Sequence, residues 1–209
     1  MLKRKVVLVL LEQLELFKIK KNIIMNEEQL QEELLVLLHK IFSTTPIECL
    51  ENEVFAYGIR NYMAKYSLQN ERYGVSEAAL TLLNNEGLYT QQPILKGAKK
   101  KYPFKYEHVI PMKVLFSYIK ALKHNNQYSE ELFRDMMERA NKVFIITTEE
   151  NIRLDRKYEG RMALQNRMPQ EYEAIATFWD NDADLFSRYS SRNIIISNEL
   201  ISMRGAVVR

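Results

Sequence analysis

The stretch Asn141-Lys142-Val143-Phe144-Ile145-Ile146-Thr147-Thr148-Glu149-Glu150-Asn151 decides how this chain is read. Val143 to Ile146 are four consecutive apolar residues rich in β-favouring types, which makes a short buried strand. Thr147 followed three residues later by Glu150 is a capping box, so a helix opens at the strand's end. Upstream, Lys99-Lys100-Lys101-Tyr102-Pro103-Phe104-Lys105-Tyr106-Glu107-His108-Val109-Ile110-Pro111 sets an acid beside an imidazole after a run of lysines. Any chemical site is expected on these two stretches.

Between them, Val114, Leu115, Tyr118, Ile119 and Leu122 recur at helical spacing, and Ser129 caps another helix through Ala140 that turns Leu132, Phe133, Met136 and Met137 inward. Earlier, Ser76 to Leu83 is a short helix stopped at Asn84-Asn85-Glu86-Gly87, with a loop or irregular strand to Leu95. Asn26 and Gln29 open a helix to about Phe42, facing inward with Leu30, Leu34, Leu37, Leu38 and Ile41. Thr45-Pro46 starts the next helix, with Ile47, Leu50, Val54, Tyr57 and Tyr62 on one face and an end near Lys65. Toward the C-terminus come a break at Met168-Pro169, a helix ending near Phe178 and Trp179, a turn or helix from Asp180 to Tyr189, and a last strand from Asn193 to Ile196. The expected fold is α+β and predominantly helical: a helical N-terminal region, 1–70, and a mixed α/β domain, 71–209.

Six glycines and five prolines in 209 residues fit this helical bias and argue against an all-β fold. Hydrophobic content of 46% with 27% charged residues excludes disorder. Cys49 is the one cysteine, so no intramolecular disulfide or cysteine-based zinc cluster forms, and a buried hydrophobe is its plainer role. Residues 4–22 form an amphipathic helix with basic ends, through which the chain would meet a second copy or a partner subunit. Its start imitates a signal peptide, but Glu12 and Glu15 interrupt the apolar run and no cleavage site follows. No segment is long enough to span a bilayer, the expected location is cytoplasmic, and the native start is either Met1 or Met25.

Hydrolysis of a phosphodiester needs a base to take a proton from water, and a means of neutralising the phosphate. A histidine supplies the first, and a carboxylate holding a hard divalent cation supplies the second. Glu107 and His108 provide one of each. Lys99, Lys100, Lys101 and Lys105 would hold the polyanion, and Arg153 and Arg156, three apart on the helix after Asn151, would present two further cations. No P-loop, dinucleotide fingerprint or Gly-x-Ser-x-Gly elbow is present, which makes ATP hydrolysis, hydride transfer and serine-hydrolase chemistry poor fits.

Glu107-His108-Val109-Ile110-Pro111 resembles the first strand end of the HNH, or ββα-metal, endonuclease motif. Asn141 through Asn151 is similar to its second half, in which an asparagine precedes a strand and a Thr-x-Glu-Glu step leads into the last helix. The resemblance implies His108 as general base and Asn141 as the residue that fixes the loop and orients the imidazole. It implies Glu107 and Asn151 as ligands of one Mg2+ or Mn2+, in a His-Asn-Asn variant whose intervening helices are an insertion. The implied activity is cleavage of nucleic acid, DNA in preference to RNA, as in restriction or phage defence. The residues also admit a second reading: Glu107-His108 as a surface pair ahead of a helix, and the protein as a non-catalytic nucleic-acid-binding or assembly subunit. Neighbours on a regular strand point to opposite faces, so joint action of Glu107 and His108 requires a twisted strand end.

Overall fold

A computed structural model describes residues 27–68, 72–85, 103–157, 159–170, 185–202 and 207–208. The expected helix over 4–22, the cap at Asn26, the lysines at 99–101 and the helix ending near Trp179 lie outside them. The chain is mixed α and β and predominantly helical. It divides into two compact units: 1–70 with 115–141, and 71–114 with 142–209. The contiguous domain 71–209 expected from the sequence therefore differs from the observed division, in which residues 115–141 group with the N-terminal helices.

In the first unit, α1 (Glu27–Thr44) buries Leu34, Leu35, Leu38, Ile41 and Phe42. Two helices replace the single one expected after Pro46: α2 (Ile47–Leu50) and α3 (Glu53–Ser67). The break falls at Asn52, whose side chain accepts from the N–H groups of Val54 and Phe55 and starts a new helix. This resets the face. Ala56, Ile59, Met63 and Tyr66 are buried, whereas Val54 and Tyr57, expected inside, are exposed. The C-terminal part of α5 (Met112–His124) and α6 (Glu130–Ala140) complete the unit, with Phe42 5.7 Å from both Phe116 and Phe133. Ser129 caps α6 as expected. Lys123 donates to the carbonyls of Phe42, Ser43 and Thr45, closing the C-terminal end of α1 with a cation. His39 stacks on Tyr128 and shares a 2.9 Å hydrogen bond with its hydroxyl.

The second unit is built on a sheet of order β2-β3-β1-β4-β5. β1 is Arg72–Ser76, β2 Phe104–His108, β3 Val143–Thr147, β4 Ile196–Ser202 and β5 Val207–Val208. β1 and β3 are parallel; the other pairs are antiparallel. Every residue of β3 is buried, as its unbroken apolar run requires. The final strand begins at Ile196, where the expected one ended.

Each parallel strand feeds a helix: β1 leads into α4 (Glu77–Asn85) and β3 into α7 (Thr148–Asp155). Phe144 on β3 lies opposite Gly74 on β1, and its ring occupies the space that a Cβ at Gly74 would take. Phe186, at 5.4 Å, then meets the same ring edge-on, just before the one-turn helix α8 (Ser187–Ser190).

Candidate active site

β2 ends the sheet, and its ladder with β3 is regular from Phe104↔Thr147 to His108↔Val143. Strand alternation therefore sends Glu107 to the face shared with Phe144, and His108 to the opposite face with Tyr106. Tyr106 meets Tyr73 edge-on at 5.3 Å, and its buried hydroxyl has no hydrogen-bond partner. Burial raises its pKa.

On its own face, Glu107 is the centre of a buried polar cluster. Arg188 of α8, wholly buried, donates from Nη2 to Glu107 Oε1 at 2.5 Å, from Nη1 to the His108 carbonyl at 2.7 Å, and from Nε to the Leu164 carbonyl at 2.8 Å. Tyr189 donates its hydroxyl to the Glu107 carbonyl at 3.1 Å. Burial pushes the Glu107 carboxyl pKa up, the Arg188 guanidinium opposes this, and the Asp155 carboxylate adds to the rise.

Asp155 comes from α7, which packs on both β2 and β3. The sequence places this helix by the capping box. Thr147 Oγ1 accepts from the Glu150 N–H at 3.0 Å, and Glu150 Oε2 accepts from the Thr147 N–H at 2.8 Å. The same carboxylate oxygen accepts from the Ser76 hydroxyl at 2.6 Å, which ties the ends of the two parallel strands together. One turn on, Asn151 Nδ2 donates to Asp155 Oδ2 at 2.6 Å.

The structure thus brings Glu107, Asp155 and Asn151 into one neighbourhood and leaves the His108 side chain on the other face. Asn141 caps the end of α6 in the first unit, where Nδ2 donates to the Met63 carbonyl at 2.7 Å and Oδ1 is buried without a partner. Arg153 donates to the carbonyls of Arg192 and Asn193 and lies 3.8 Å from Glu150. Arg156 and Lys105 are exposed.

Among the described residues, no three His, Cys, Asp or Glu side chains form a group that holds a metal ion. The Glu107 face offers two carboxylates that disfavour each other's charge, and an amide whose nitrogen is committed, so that its oxygen faces a ligand's chemistry. That set of hard oxygen donors fits Mg2+ or Mn2+, which are held by one or two carboxylates and completed by water and substrate phosphate. Sequence reasoning missed Asp155, although its position four residues after Asn151 puts both on one helical face. Arg188 was read only as structure, and nothing in its local sequence points to Glu107. No family model, curated protein or solved structure matches the chain.

Proposed function

We propose that the protein is a metal-dependent endonuclease that hydrolyses phosphodiester bonds, in DNA in preference to RNA. What supports the reading is the order and packing of three elements. β2 and β3 form an antiparallel pair, α7 follows β3 and packs on both, and Asp155 on that helix acts electrostatically on Glu107. This is the ββα arrangement that the resemblance implies, with α5 and α6 inserted between the strands.

Glu107, Asp155 and the Asn151 oxygen hold the divalent ion, which when bound neutralises charge on the phosphate and on the leaving oxygen. Arg188 fixes the carboxylate of Glu107 from within the protein. His108, last residue of an edge strand, takes a proton from the attacking water. The water oxygen bonds to phosphorus, the P–O ester bond breaks, and the departing alkoxide is protonated from solvent. Because strand alternation separates the two side chains, the scissile phosphate lies across the end of β2, where it meets both faces.

Purified protein incubated with supercoiled plasmid is expected to nick it with Mg2+ or Mn2+ and to stop on addition of EDTA. Salt-sensitive DNA binding without cleavage under either metal would overturn the nuclease reading in favour of a non-catalytic binding subunit.

A further inference from the structure

The segment 159–170 does not belong to the Glu107 cluster, yet buried groups hold its backbone at three points. The Leu164 N–H donates to the Leu154 carbonyl at 2.7 Å, Arg188 Nε donates to the Leu164 carbonyl, and Arg192 Nη2 donates to the Met162 carbonyl. Against it lies a cavity of about 560 Å3, which is within the usual range for small-ligand sites. Leu164, Met168 and Pro169 are its buried apolar lining, and Arg161, Arg167 and Arg192 supply three guanidinium groups. None of its lining residues is acidic.

Arg192 is 1% exposed and spends its donors on backbone carbonyls, those of Arg153, Met162 and Ser191. Its charge therefore meets dipoles in place of a carboxylate. Arg161 donates to the Ser191 carbonyl at 2.9 Å and disfavours the charge on Arg192. A protein that holds cations together at a desolvated cavity wall lowers that cost when an anion enters. Planar guanidinium forks suit phosphate oxygens, and the apolar lining suits a nucleobase or sugar.

From this geometry we infer that the cavity lined by Arg161, Arg167 and Arg192 is a nucleic-acid subsite that seats one nucleotide of a bound strand, with its phosphate on the arginines. The inference rests on the reading that the substrate is a polynucleotide, but it concerns binding alone. Arg188 joins the two places, since one side chain holds both Leu164 in the cavity wall and Glu107. A strand seated here is positioned relative to the carboxylate cluster by the protein's own hydrogen bonds.

Binding of a short fluorescein-labelled DNA duplex, measured by polarisation in EDTA, separates this site from cleavage. The double variant Arg161→Gln/Arg167→Gln is expected to bind roughly tenfold more weakly, with the slope of log K against log salt reduced by about two. Lys40→Gln/Lys65→Gln, which removes the same charge from exposed positions elsewhere, is expected to leave affinity within about twofold. Thermal melts of both variants check that each is folded. Unchanged affinity and slope in the arginine variant would overturn the subsite, as would an equal loss in the lysine control. An arginine-dependent site that takes a nucleoside monophosphate while duplex binding is unaffected would overturn it too, because the occupant would then be a free nucleotide. Failure to cut DNA while the arginine effect persists would refute the nuclease reading and leave the subsite standing.

Discussion

At Glu107 the cost of burial outweighs the attraction of Arg188, so its carboxyl sits above the ordinary value of 4.5. The folded state then binds the proton more tightly than the unfolded state, and its contribution to stability is full below about 4.5 and lost as pH rises through the folded-state pKa. The stability difference between the native chain and Glu107→Gln, followed by urea denaturation across pH, should therefore fall as pH rises above 4.5. A difference that grows over that window would mean that Arg188 wins. Arg188 itself is wholly buried with three acceptors, and removing it strands a carboxylate and two carbonyls. Arg188→Met is expected to cost about 3–5 kcal/mol by the same measurement. A loss below about 0.5 kcal/mol would show that the cluster rearranges at no cost.

Among the elements, the contact between β1 and β3 is the tightest point of the sheet. The Phe144 ring fills the place of a Gly74 Cβ, so Gly74→Ala must move an aromatic that Phe186 and Tyr189 also hold. The expected cost is about 1–3 kcal/mol. Gly58, inside α3 with no atom near its Cβ position, should behave oppositely: Gly58→Ala is expected to stabilise by about 0.5–1 kcal/mol. Equal melting temperatures for the two variants would contradict both assignments.

These two glycines also mark where local sequence informs and where it does not. β3 and its capping box were legible because an unbroken apolar run and a Thr-x-x-Glu pair are local signals, and the α6 cap at Ser129 was legible for the same reason. β1 was not: Arg72-Tyr73-Gly74-Val75-Ser76 has a glycine at its centre, tolerated only because Phe144 covers it from another strand. The helix break at Asn52 was local but was hidden by apolar residues on both sides, which suggested one continuous stripe. Of the candidate site, Glu107, His108 and Asn151 were read from motif spacing, while Arg188 arrives from 81 residues away through tertiary packing that no local pattern encodes.

Across the whole molecule, the ββα elements of the second unit are interrupted in sequence by residues 115–141 of the first. The claim that this interrupted unit works as a metal centre makes a prediction independent of catalysis. A divalent ion bound only by the folded state should raise the melting temperature by mass action, and Glu107→Gln/Asp155→Asn should abolish the rise. A shift that survives in the double variant would place the ion elsewhere.

The most direct measurement is cleavage by His108→Ala. With supercoiled plasmid and Mn2+, this variant is expected to lose at least about a hundredfold in nicking rate, the usual contribution of a general base, while its melting temperature and DNA affinity remain those of the native chain. Nicking at the native rate by the folded variant would contradict the assignment of His108 as the base, and with it the catalytic reading of the end of β2.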